Sequence, residues 1–333
     1  MGVALGACGP KFVADQSEGA GAGSSSAGAN SGGYAGRAIG GGGDANDAGA
    51  DSSAGEAGSD SGGLGGSSGT GGSGAPGGGG GSGAGGSGAG GSGGALIDPG
   101  LPPSGLLLWL RADLGVQSKD GLVQTWLDQS GNQTNATGSG AARPSYLAKG
   151  FNGRPTLEFD GEGQFLSFEY GFANFSKGLA GFIVAKPTKS DCAAMVEFSS
   201  GSEIDDISLG LWEDRWLYEV ETPYISSGKV DLGRFSLYAV NHLTSGSADL
   251  RIDGRVLSTL SMSLPPMPKS ESGLRENNFV GHTLYGNCNY FEGQISEIIL
   301  YSRTLAKSEI GAIEKYLSTH WALDAQDTPA PAP

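Results

Sequence analysis

The chain has 333 residues, a formal net charge of −15 and 63 glycines, more than half of them in the first hundred positions. No basic run offsets that charge, which argues against nucleic-acid or anionic-lipid binding by electrostatics and leaves neutral polymers and divalent cations as compatible ligands. No stretch approaches the roughly 18 apolar residues of a membrane-spanning helix.

In chain order, residues 1–18 come first and centre on Leu5-Gly6-Ala7-Cys8-Gly9. Small residues before a cysteine, with Leu three places ahead, resemble the bacterial lipobox, where the Cys8 sulfur would carry a diacylglycerol. Met1 to Leu5 is too short for an h-region and no Lys or Arg precedes it, so the true start lies upstream or the match is chance. Residues 19–98 are almost entirely Gly, Ser and Ala, with Tyr34, Ile39 and Leu64 nearly alone as sizeable apolar side chains. Such a segment buries too little to offset its ordering entropy, so a long disordered linker is expected, reaching on the order of 50 Å. A tether after a lipidated cysteine is what an exported, envelope-displayed protein needs.

Residues 99–324 hold all five tryptophans and form the expected domain; 325–333 are read as a disordered tail. Leu106–Leu110 is a buried run, and Val123–Leu127, Thr156–Phe159 and Phe165–Phe168 alternate. Ile207–Trp212, Trp216–Val220, Phe235–Val240, Leu250–Ile252 and Gly293–Tyr301 continue the pattern, punctuated by Asp160-Gly161, Glu213-Asp214 and Asp253-Gly254. One helix follows, with Ile310, Ile313, Leu317 and Trp321 on a stripe. An all-β, antiparallel sandwich with one C-terminal helix is predicted.

The order Leu108-Trp109-Leu110-Arg111-Ala112-Asp113, then Trp126-Leu127-Asp128-Gln129-Ser130-Gly131-Asn132, resembles the laminin-G-like group of concanavalin A-like lectin/glucanase domains. Asn152-Gly153-Arg154-Pro155, Phe159-Asp160-Gly161 and Gly293–Arg303 continue the likeness, which brackets nearly the whole domain. The resemblance implies a jellyroll of two antiparallel sheets and no single function.

Within that superfamily, Glu158-Phe159-Asp160-Gly161-Glu162 resembles the Glu-x-Asp-x-Glu of retaining β-glucanases, which implies nucleophile, tuning and acid/base roles for Glu158, Asp160 and Glu162. Against it, Asp160-Gly161 is a turn signal that should end the strand. Asp128, Asn132 and Asn135 could bind Ca²⁺ through side-chain oxygens, or cap their own turn; no other cofactor is suggested. Trp212-Glu213-Asp214-Arg215-Trp216 puts two indoles near a hairpin tip, where Trp212 and Trp216 could stack on sugar rings while Glu213 and Arg215 bond hydroxyls; alternatively both rings are core. Cys192 and Cys288 are either a disulfide or two core thiols. The expected function is a non-catalytic, surface-displayed module recognising carbohydrate or a protein partner; the alternative is a secreted glucanase-type hydrolase.

Overall fold

The computed structural model describes residues 100–324 apart from Ser190, Glu203, Thr222, Gly286, Asn287 and Asn289; Cys8, the segment 19–98 and the tail 325–333 lie outside the described residues. The described residues form seventeen strands and one α-helix. In chain order the strands are β1 (Leu106–Arg111), β2 (Val116–Lys119), β3 (Leu122–Trp126), β4 (Ala136–Thr137), β5 (Ser145–Phe151), β6 (Arg154–Asp160), β7 (Leu166–Phe168), β8 (Leu179–Pro187) and β9 (Ala193–Ser199). They continue with β10 (Ile207–Trp212), β11 (Arg215–Val220), β12 (Tyr224–Lys229), β13 (Ser236–His242), β14 (Ser247–Ile252), β15 (Arg255–Ser261), β16 (Asn277–Val280) and β17 (Glu292–Tyr301), then α1 (Lys307–Trp321).

All pairings are antiparallel and fall into two layers. One runs β2-β3-β4-β7-β16-β9-β10-β11-β12. The other runs β5-β6-β17-β8-β13-β14-β15, with β1 beside the second half of β17. A single Leu122↔Ser145 pairing joins them. The expected all-β antiparallel fold with a C-terminal helix is what the chain adopts.

Alternation explains which residues meet between the layers. Opposed residues of neighbouring strands share a face, so Leu209 and Tyr218 point the same way. Across the core, a Cβ on Gly181 would touch Val240, Leu209 and Leu300 at 3.4–3.7 Å, so both layers converge there. Trp216 stacks obliquely on Tyr238 with centroids 5.2 Å apart. The Tyr218 hydroxyl meets His242 Nδ1 at 2.9 Å. Four of the five tryptophans, Trp109, Trp126, Trp216 and Trp321, are fully buried.

The helix covers the outer face of the second layer with Ile310, Ile313, Leu317 and Trp321, the predicted stripe. Glu309 accepts the Ala306 N–H and is gripped by Arg303 at 2.7 Å, which caps the first turn. At one end of the sandwich, the buried Arg275 guanidinium donates to the carbonyls of Asp205, Phe172 and Pro266, fixing three loops with one planar fork. Among the described residues no helix is long and apolar enough to cross a membrane.

Candidate functional site

The first layer has a core face and an outer face, and the outer face carries a polar row built strand by strand. Thr137 opposes Ser167, Ser167 opposes Phe279, and Phe279 opposes Glu197. Glu197 opposes Ser208, Ser208 opposes Glu219, and Glu219 opposes Tyr224. Two carboxylates thus stand two strands apart, about 10 Å between backbones. Both are buried, Glu197 to 2 % and Glu219 to 5 % exposure, although they point away from the core. The covering chain is the loop after β16: the Leu284 N–H donates to Glu197 Oε1 at 3.0 Å. Burial, opposed by hydrogen bonds from Thr283 and Leu284, pushes the Glu197 carboxyl up to about 7. Cys192 and Cys288 are joined in a disulfide with Cα atoms 4.8 Å apart, tying that loop to the start of β9.

Trp212 lies on this outer face at the end of β10. It opposes Arg215 on β11, and Arg215 opposes Lys229 on β12, so an indole and two cations form a second row. The turn between them is tight because Glu213 and Asp214 both take left-handed conformations, with φ of 49° and 60°. Asp214 is fixed by Lys229 at 2.7 Å and by its carbonyl, which accepts the Val230 N–H. The Trp212 indole N–H is buried and donates to no described group. The part of the ring left to solvent is therefore apolar. On its inner side a cavity of about 20 Å³, the size of one water, is bordered by Ser208, Glu219, Thr283 and Tyr285. On its outer side lies an open cleft of about 580 Å³, lined by Asp191, Glu213, Asp214, Arg215 and Lys229, within the usual size of small-ligand sites.

Trp216 corrects the expected pair of stacking rings. A two-residue turn pairs Trp212 with Arg215 and leaves Trp216 opposite Leu211, on the core face. There it is fully buried and its indole N–H points at the Ala239 carbonyl. Only Trp212 remains available to a ligand.

The glucanase-like acids do not assemble on one strand. β6 ends at Asp160, whose Oδ1 accepts the N–H groups of Glu162, Gly163 and Gln164 at 2.9–3.1 Å. Burial works against ionisation of Asp160, but those three bonds hold its pKa below the usual carboxylate value. Glu162 sits in the turn and is exposed, and Glu158 accepts the Gln294 amide at 3.1 Å. Asp160 builds a turn.

The oxygen-rich loop is likewise spent on backbone. Asp128 accepts the N–H groups of Trp109, Ser130 and Thr134 and the Ser130 hydroxyl. Asn135 accepts the Asp128 N–H, while the Asn132 amide donates to the Leu106 and Leu107 carbonyls. Asp128→Ala is expected to cost about 2 kcal/mol of stability in urea denaturation, since one carboxylate replaces solvent for three amides. Among the described residues no three of His, Cys, Asp and Glu gather as a metal site.

Sequence reading missed Glu197, Glu219 and Lys229. Each acid is flanked by apolar residues, Val196 and Phe198 or Tyr218 and Val220. That flanking is a usable signal, because an acid inside a buried strand needs a reason to be there.

No family model matches the sequence, and no curated protein matches it. Among solved structures, the chain is similar to the sialidase of Trypanosoma rangeli at 16 % identity and a TM-score of 0.45, over 66 % of this chain and 34 % of that one. It therefore spans about a third of the sialidase. Domain 4 of AbnA, a GH43 extracellular arabinanase from Geobacillus stearothermophilus solved with arabinotriose, is similar at 16 % identity and a TM-score of 0.46, over 62 % of this chain and 96 % of that domain. The binding domain of Paraclostridial Mosquitocidal Protein 1 is similar at 11 % identity and a TM-score of 0.48, over 65 % and 53 %.

Proposed function

We propose that this domain is a non-catalytic recognition module of the laminin-G-like kind that binds carbohydrate in the cleft beside Trp212. The observation that carries the reading is the indole itself. Its polar edge is buried, its apolar surface faces an open cleft, and a rigid turn surrounds it with hydrogen-bonding side chains. Sugar rings offer apolar C–H faces and hydroxyl edges, which match that combination. The same reading has the domain displayed outside the cell, with Cys8 lipidated and the Gly/Ser-rich segment as spacer.

Binding is measured by titrating glycans and following tryptophan fluorescence and heat. Trp212→Ala is expected to weaken binding about tenfold or more, the loss of one stacking contact, with an unchanged far-UV circular dichroism spectrum as the control for folding. Wild-type affinity in Trp212→Ala would remove the cleft from consideration.

A further inference from the structure

We infer that the Trp212 cleft selects sugars bearing a carboxylate, with Arg215 as the residue that reads the acid. The inference rests on the glycan reading above and adds the ligand's charge. Trp212, Arg215 and Lys229 are consecutive members of one cross-strand row, so the indole and the guanidinium project from the same face. Directly opposed Cβ atoms lie about 5 Å apart. A pyranose stacked on the indole then carries any carboxylate attached to its ring toward the guanidinium.

The charges of the cleft are not equivalent. Asp191 is paired with Lys189 at 2.8 Å, and Asp214 with Lys229 at 2.7 Å. Among the described residues Arg215 forms no ion pair, and it is exposed. A neutral sugar takes only single hydrogen bonds from a guanidinium to its hydroxyls, whereas a carboxylate engages the planar fork with two parallel, charge-assisted bonds. Lys229 stands next in the row and adds positive potential although its ammonium is shared with Asp214. Glu213 is the acid left to oppose this. It precedes Asp214 at the tip of the turn and pairs with no cation among the described residues, so it disfavours acids arriving from the turn side. The chain as a whole carries −15, so a preference for anions would have to be local.

Two matched pairs of probes test this on the full chain by calorimetry at low salt: trigalacturonate against its methyl ester, and 3′-sialyllactose against lactose. They separate a hexuronate from a nonulosonate as the source of the carboxylate. At least one acid is expected to bind ten times more tightly than its neutral counterpart. Arg215→Gln should weaken the acid at least tenfold and so erase that preference, with a smaller loss for the neutral sugar and the melting temperature unchanged, and 0.5 M salt should weaken the acid alone. Equal affinities for acid and neutral sugar in the wild type, with both weakened in Trp212→Ala, overturn the inference and keep the glycan reading. An acid preference that survives Arg215→Gln also overturns it. Binding of none of the four sinks both.

Discussion

Glu297→Ala is expected to destabilise the domain by about 3–5 kcal/mol, because a buried carboxylate there satisfies three donors at once. Oε1 accepts the Trp109 indole N–H at 2.6 Å and the Tyr316 hydroxyl at 3.0 Å, and Oε2 accepts the Trp321 indole N–H at 2.6 Å. The residue has no exposure. One donor belongs to β1 and two to α1, so the carboxylate fastens the helix to the outer face of the second layer. Removing it leaves two indole N–H groups without an acceptor and away from water, which costs more than the hydrogen bonds themselves were worth. For a domain of this size the melting temperature should fall by about 10 °C. Glu297→Gln keeps the volume but sets an amide N–H against an indole N–H, so about half the loss is expected. Urea unfolding followed by tryptophan fluorescence, with amide exchange of Lys307–Trp321, gives both numbers. A loss under 1 kcal/mol in Glu297→Ala would mean the helix is held by its apolar stripe alone.

That staple shows where sequence reading stops. Trp109, Trp321 and the stripe Ile310, Ile313 and Leu317 are legible as buried because each sits in a local period, and all are buried. The acid that joins them lies 188 and 24 residues away from the two indoles, and such a pairing has no local signature. Asp253-Gly254 is equally legible, since both residues take the left-handed conformation that Asp and Gly favour, whereas at Glu213-Asp214 only the second residue is of a type that favours it. Besides the short β2 and β4, three strands are not legible in the sequence: β5, β12 and β15. Each has several exposed side chains and little apolar alternation, so strand state there is imposed by pairing with β6, β11 and β14. Trp216 is a different lesson. Once a two-residue turn is assigned to Glu213-Asp214, parity alone puts Trp212 and Trp216 on opposite faces. The Glu197–Ser208–Glu219 row needed strand order, which joins residues through β9, β10 and β11 and is not written in any one segment.

Glu197 sets the second large effect, a loss of stability on the alkaline side, and Glu197→Gln should remove its share of that loss. Glu297, whose pKa burial also raises, contributes in the same direction in both proteins. Burial is the main cause of its raised pKa, with the Asp206 charge adding to it and the Thr283 and Leu284 bonds opposing it. A carboxyl near 7 in the folded state and 4.5 in the unfolded chain binds its proton more tightly when folded. Its contribution is therefore complete below about pH 4.5 and is lost as pH rises through about 7, amounting to about 3 kcal/mol. Other groups shape the wild-type curve. Burial opposes ionisation of Asp113, yet hydrogen bonds from His320 and Arg111 hold its carboxyl well below the usual range. The Arg303 bond brings Glu309 to about 2. Both contribute stability above their unfolded values that is lost toward strong acid. His242 and His282 are lowered by burial and lose stability as pH falls below about 6.5. The difference between wild type and Glu197→Gln cancels all of these contributions. Urea unfolding at pH 5 should find the two proteins within about 1 kcal/mol of each other, and at pH 8 the variant should be the more stable by about 2–3 kcal/mol. Parallel curves for the two proteins from pH 5 to pH 8 would mean that Glu197 is solvated and that the loop over β9 does not seal the outer face.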